Sequence, residues 1–376
     1  MPNSNKVITM ESRFAERVQG IDISGIRKMF EGAGPNAINL GLGQPDFDTP
    51  EHIKKAAIKA IEEGFTGYTA GPGILELREA LSRKFKNENS IEVSPENIIV
   101  TSGASEALEI ALGAFVNSGD EVLIADPGFV SYKALTEIMG GHMTGVPLDE
   151  KLCMKPETVL EMISPKTKAI IINSPSNPTG AVQSKSDMKA FAEIADDNDV
   201  ILISDEVYEH FIYEGEHVSP AMYSDNVITV NAASKTYSMT GWRLGYVAAS
   251  PENTYQMLKI HQYVQACATS ISQKAAFAAI DGPIDPVMEM KEEFRARRDM
   301  LLEGLDKLGM KCVKPEGAFY AFPEAEAGTA EKLISEGVIV VPGEAFGNNG
   351  EGHIRISYAT SRDNIKKALE ILQRVL

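Results

Sequence analysis

Short apolar runs, each closed by turn residues, recur along the first two thirds of the chain: Val122 to Ala125, Ala169 to Ile172, Val200 to Ile203, Val227 to Val230 and Tyr246 to Ala249. Runs with no polar alternation predict strands buried on both faces. Amphipathic stretches lie between several of them. Thr49-Pro50 predicts the cap and first residue of a helix that Gly64 closes, and Ser184, three residues before Asp187, opens a second that reaches Asn198. This alternation predicts an α/β fold with a mostly parallel sheet covered by helices on both faces. After Pro251 the rhythm changes to helical stretches, Glu252 to Ile280 and Pro286 to Leu308, then short strands around Gly317 to Phe322 and Val338 to Val341. Ile365, Leu369, Ile371 and Leu372 give the last stretch, Arg362 to Leu376, a helical apolar face. The part from the second long helix onward is expected to form a smaller α+β domain.

Composition narrows the function. A chain of 376 residues holds more than one ordinary core. Its 36 Lys+Arg against 53 Asp+Glu leave a formal charge of −17, which repels nucleic acid and anionic membrane surfaces. An anionic substrate therefore needs a local cation. Cys153, Cys267 and Cys312 lie far apart, which predicts reduced thiols in a cytoplasmic protein. Met1 to Met10 has no apolar core of a leader, and no stretch nears the roughly 18 apolar residues of a membrane span. The six histidines form no H-E-x-x-H, so no metal is expected. No G-x-G-x-x-G occupies the first βα turn, which argues against a nicotinamide oxidoreductase.

The most informative string is Asn231-Ala-Ala-Ser-Lys-Thr-Tyr-Ser-Met-Thr-Gly-Trp-Arg-Leu-Gly245, a polar loop between two predicted strands. Lys235 at the mouth of a parallel sheet can form a Schiff base with a carbonyl cofactor if burial and cations keep part of it as the free amine. Arg243 can supply that field while holding a phosphate. Asp205, in Ile201-Leu-Ile-Ser-Asp-Glu-Val-Tyr208, stands at the end of an apolar strand, at the carboxyl edge where such sheets bind ligands. A carboxylate there can pair with a protonated pyridine nitrogen, and Tyr208 can bond a phenolic oxygen on the ring. Asn177, extended because Pro178 follows it, can reach the same oxygen. Val100-Thr-Ser-Gly-Ala-Ser-Glu-Ala107 runs from a strand into a helix, so Gly103, Ala104 and Ser105 are the phosphate-loop candidates. Phe129 can stack on a planar ring. Taken singly, each string also reads as an ordinary cap, turn or solvated loop.

Together and in this order these strings resemble the class I and II aminotransferases of fold type I, closest to prokaryotic aspartate aminotransferases. Asn39-Leu-Gly-Leu-Gly-Gln-Pro-Asp-Phe-Asp-Thr-Pro50, Gly67-Tyr-Thr-Ala-Gly-Pro-Gly73, Gly317-Ala-Phe-Tyr320 and His353-Ile-Arg-Ile-Ser-Tyr-Ala359 extend the likeness over nearly the whole chain. The resemblance implies a seven-stranded large domain over residues 36–280 that binds pyridoxal 5′-phosphate. Residues 281–376 would form the small domain, joined by residues 1–35. It implies Lys235 as the Schiff-base lysine, Asp205 as the ring-nitrogen partner, and Asn177 and Tyr208 at the phenolic oxygen. Arg243, Ser234, Ser105 and the Gly103-Ala104 backbone would hold the phosphate, with Tyr68 reaching in from the other subunit of a homodimer. Arg355 would fork onto the substrate α-carboxylate beside Gly41 and Asn177. The implied reaction moves an amino group from an L-amino acid to a 2-oxo acid, such as 2-oxoglutarate, by a ping-pong cycle. A carbon–sulfur β-lyase on the same fold is the alternative. The chain departs from the pattern at Phe129, commonly Trp, at Ala232, commonly Ser, and at Ser105 and Ile26, where relatives that select acidic substrates place Lys and a hydroxyl. Acidic, aromatic and aliphatic substrates all remain open.

Overall fold

The computed structural model describes residues 14–21 and 37–376. Most of the N-terminal segment 1–35 assigned to the small domain, Ile26 included, therefore lies outside the described residues. In chain order the strands are β1 (Ile38–Asn39), β2 (Ile98–Thr101), β3 (Glu121–Asp126), β4 (His142–Pro147), β5 (Thr167–Asn173), β6 (Ile201–Asp205), β7 (Val227–Ala232), β8 (Gly245–Ala248), β9 (Tyr320–Ala321), β10 (Val338–Ile339), β11 (Val341–Pro342) and β12 (Ile354–Ser357). Seven of them form one sheet in the order β2-β8-β7-β6-β5-β3-β4, with only β8 antiparallel to its neighbours. The five predicted apolar runs are β3, β5, β6, β7 and β8. Their inner residues are buried on both faces, as a sheet sandwiched between helices requires.

The strand order sets where a ligand can enter. Leaving β3 the chain crosses to β4 on one side, and leaving the adjacent β5 it crosses to β6 on the other. The connections diverge at the carboxyl ends of β3 and β5 and open a crevice there. The helix Lys185–Asp197 follows its predicted bounds, with the Ser184 hydroxyl accepting from Asp187 N at 3.1 Å.

Two local expectations are corrected. Pro50, not Thr49, caps the helix Glu51–Glu62, because the Thr49 hydroxyl is bound elsewhere: it donates to Ser238 O at 2.7 Å and accepts from Trp242 Nε1 at 3.0 Å. Both partners belong to the lysine loop. The expected single helix from Glu252 to Ile280 is two, Pro251–Val264 and Ser270–Ile280, since Ala266 between them takes a left-handed φ of 65° that an α-helix does not admit.

The short strands beyond residue 317 pair outside the large sheet. β12 lies between β11 and β9, with Val341 opposite Arg355 and Ile356 opposite Ala321, while β10 runs parallel to β1. The expected strand Val338 to Val341 is thus divided between two sheets. Arg355 sits on the middle strand of the three, paired with Val341 of β11, while the next residues Ile356 and Ser357 pair with β9.

Candidate active site

Register places the first site residues side by side. Asp205 ends β6 opposite Asn173 of β5 and Val230 of β7. One position past its pairing with Gly245, β7 turns into a short helix, Ala233–Thr236, that carries Lys235. The loop expected between Asn231 and Gly245 thus contains this turn and a 3-10 turn, Thr240–Trp242, after which Arg243 adopts a left-handed φ of 51°. A cavity of about 280 Å³ opens here, lined by Lys235, Asp205, Asn177, Tyr208, Arg243, Arg355, Phe129, Ala104, Ser105 and Ser234.

Lys235 is half-buried, and its amine donates to Gly43 O at 2.6 Å. Burial first, then the Arg355 and Arg243 cations, bring its pKa down to about 8, with Asp205 opposing. Roughly one amine in ten is then uncharged at pH 7, against one in several thousand for an ordinary lysine. Deprotonation rises with pH, so a lowered pKa brings full reactivity earlier. Reductive alkylation by a small aldehyde, followed by peptide mass analysis, is expected to reach half its maximal rate at Lys235 near pH 8 in the cofactor-free protein. Surface lysines should still be rising above pH 10; a Lys235 profile that tracked theirs would contradict the assignment.

Asp205 is buried, and burial pushes its carboxyl up to about 6 despite hydrogen bonds from Tyr132 Oη at 2.8 Å and Val207 N at 3.3 Å. A carboxylate held there is under-compensated and favours a cationic N–H partner. Arg355 is the opposite case, a guanidinium 2% exposed with no Asp or Glu paired to it among the described residues. Its Nη1 donates to Asn177 Oδ1 at 2.8 Å, its Nη2 donates to Gly41 O, and its buried Nε has no hydrogen-bond partner. Its plane lies over the Tyr320 ring at 4.7 Å and the Phe346 ring at 4.8 Å. A buried cation held by neutral acceptors is set up for an anion.

At the phosphate loop, Gly103 caps the helix Ala104–Phe115 with a φ of 83°. A Cβ on Gly103 would meet Arg243 Nη2 at 2.6 Å, and one on Gly245 would meet Ala104 N at 2.6 Å. Two glycines thus let the arginine and the helix N-terminus share one small space. Phe129 is half-buried, edge-on to Tyr132 at 5.5 Å between centroids.

Most of the expected residues therefore converge. Gly41 contributes through its carbonyl to Arg355 rather than by lining the cavity. Tyr68 does not join them within one chain, being 92% exposed. Four further residues belong to the site: Gly43 on the lysine; Tyr132 on Asp205; Tyr320, whose hydroxyl is 2.8 Å from that of Tyr208; and Asn173, which donates to Asp205 O at 2.9 Å and accepts from Asn177 N at 2.8 Å. A signal existed for all four. Gly43, Asn173 and Tyr320 lie inside motif strings, Asn173 in Ile172-Asn-Ser-Pro-Ser-Asn-Pro-Thr-Gly180, and Tyr132 follows Phe129 by one helical turn.

A seven-stranded sheet of this order, with Lys235 and the helix start at Gly103 at its carboxyl edge, defines the molecule as a fold type I transferase. The chain belongs to the aminotransferase class I and II family, whose model matches residues 35–372. It is 48% identical to the probable aspartate aminotransferase of Methanocaldococcus jannaschii, over 96% of this chain and 99% of that protein. It is 40% identical to aromatic-amino-acid aminotransferase 2 of Thermococcus litoralis, over 96% and 98% of the two chains. The solved structure of Thermus thermophilus aspartate aminotransferase with maleate superposes with a TM-score of 0.93 at 41% identity, covering 96% and 99% of the two chains. The protein is an aminotransferase, and the β-lyase alternative finds no support in these names.

Proposed function

We propose that the cavity holds pyridoxal 5′-phosphate and that the chain transfers the amino group of aspartate or of an aromatic amino acid to a 2-oxo acid such as 2-oxoglutarate by a ping-pong cycle. The observation that carries this is the meeting of a pKa-lowered lysine, a buried carboxylate and a glycine-cradled arginine around one cavity. Their chemistry fits the cofactor's three handles, an aldehyde, a basic ring nitrogen and a phosphate. When bound, the cofactor supplies a cationic ring that accepts the electron pair left as the substrate's Cα–H bond breaks.

The chain's own residues do the rest. Asp205 holds a proton on the ring nitrogen. Arg243, Ser234, Ser105 and the N–H groups at the start of the helix Ala104–Phe115 bind the phosphate. Tyr208 and Asn177 would hold the ring oxygen, and Phe129 would pack against the ring. Arg355 grips the α-carboxylate with two N–H groups, next to Asn177 and Gly41, which turns the Cα–H bond toward Lys235. Lys235, uncharged in part near neutral pH, would take that proton on its Nζ and serve as the acid that gives it back. Residues 36–280 supply the cofactor cage, and 281–376 supply Arg355. Tyr68, too exposed to serve its own cavity, completes that of a second subunit, so we place the enzyme as a cytoplasmic homodimer.

The substrate range follows from the relatives' names and from the cavity, where Lys235, Arg243 and Arg355 are the cations among the described lining residues. Loading the purified protein with pyridoxal phosphate and following its absorbance in single half-reactions tests the reading. L-Aspartate or L-phenylalanine should convert the spectrum faster than L-alanine, and 2-oxoglutarate should restore it. A spectrum unmoved by every amino acid would overturn the proposal.

A further inference from the structure

We propose that the buried pair His261 and Glu106 is a positioning device for the cofactor phosphate, locking the phosphate loop to the turn that carries Tyr68. The inference rests on the pyridoxal phosphate reading above and adds residues that lie outside the cavity.

The two side chains form one continuous link. His261, on the helix Pro251–Val264, is fully buried, and Glu106, in the first turn of the helix Ala104–Phe115, is 6% exposed. His261 Nδ1 is 2.6 Å from Glu106 Oε1, and His261 Nε2 is 2.8 Å from Gly71 O. The other Glu106 oxygen accepts from Ser102 N, and Ser102 O in turn lies 3.4 Å from the donor Arg243 Nη2. The link therefore runs from the Gly67–Gly73 turn to the loop before Gly103 and on to the phosphate-binding arginine.

The partners fix the protonation state. A carbonyl and a carboxylate are both acceptors, so with Glu106 ionised both ring nitrogens must carry hydrogen and His261 is the imidazolium. Burial alone would lower its pKa, but the hydrogen bond and charge of Glu106 outweigh that and hold it above the ordinary histidine value. Gln273 steadies the same turn a few residues earlier, its Nε2 donating to Thr69 Oγ1 at 2.9 Å. A buried ion pair adds little net stability over an apolar pair of similar volume, so its use here is positional. It orients Ser102 without leaving net charge beside the phosphate. Without His261, Glu106 would be an uncompensated anion facing the same loop as the phosphate. Without Glu106, Ser102 N and His261 would lose their acceptor.

Glu106→Gln separates charge from position. The glutamine can donate to Nδ1 of a neutral imidazole and still accept from Ser102 N, while Nε2–H continues to serve Gly71 O, so every link survives. The experiment measures dissociation constants for pyridoxal phosphate and for pyridoxal, which lacks the phosphate, from the absorbance of the lysine adduct. H261A should weaken pyridoxal phosphate about a hundredfold and E106A about tenfold, with pyridoxal held within about twofold, and E106Q should stay near wild type for both. Equal losses for the two ligands, or none, would overturn the proposal, since a merely structural pair has no reason to sense the phosphate. The E106A and E106Q comparison carries the same test with the histidine intact. A wild type that showed no more adduct absorbance with pyridoxal phosphate than K235A does would instead overturn the cofactor reading itself.

Discussion

Replacing Lys235 by Ala is expected to reduce transamination by about 10⁴-fold or more, the upper range for loss of a positioned acid–base group together with its covalent role. The substitution removes the one lysine amine among the described residues that line the cavity, while leaving Asp205, Arg243 and Arg355 in place. Its lost packing is small, because the Lys235 side chain gives up a single hydrogen bond, to Gly43 O at 2.6 Å. Folding should therefore persist, checked by an unchanged thermal midpoint within a few degrees. A small primary amine added to K235A should recover part of the rate if proton transfer is the missing step. Transamination near the wild-type rate without such an additive would show that another group moves the proton.

Arg355→Ala should lower kcat/KM for amino acids by about 30-fold to several thousand-fold, corresponding to roughly 2–5 kcal/mol for truncating one side of a buried charge pair. The guanidinium is buried, carries no carboxylate partner among the described residues, and leaves Nε unsatisfied. Such a group awaits its ligand. Arg355→Lys should recover little of the loss, since an ammonium keeps the charge but not the planar fork. The diagnostic comparison uses an amine of the same side chain without the α-carboxylate. Wild type and R355A should process that amine at equal, slow rates, so that the penalty appears only for substrates bearing the carboxylate. A loss of equal size for both would mean that Arg355 acts by supporting Asn177 and Gly41 rather than by binding substrate.

The strand ends and the lysine loop were legible in the sequence because both are local chemistry. Apolar runs of four fix buried strands, and the polar residues that close such a run sit at the sheet edge, as Asp205 does two positions after Val200 to Ile203. The missed helix cap failed for a non-local reason. Thr49 has the side chain of a cap, but its hydroxyl is spent on Ser238 and Trp242, 189 and 193 positions away. Motif resemblance, rather than periodicity, pointed to Arg355, which periodicity alone reads as one more residue of a short strand.

The chain by itself thus determined which segments become strands and helices, and which side chains stand at their ends, since those depend on the spacing of apolar and turn residues within a few positions. Only the tertiary structure decided which of those ends meet. Arg355 reaches Asn177 across 178 positions and Gly41 across 314, and Lys235 reaches Gly43 across 192. The physical reason is that strand neighbours here are not sequence neighbours: the order β2-β8-β7-β6-β5-β3-β4 is set by how the whole set of apolar faces is buried together, and no single segment encodes it.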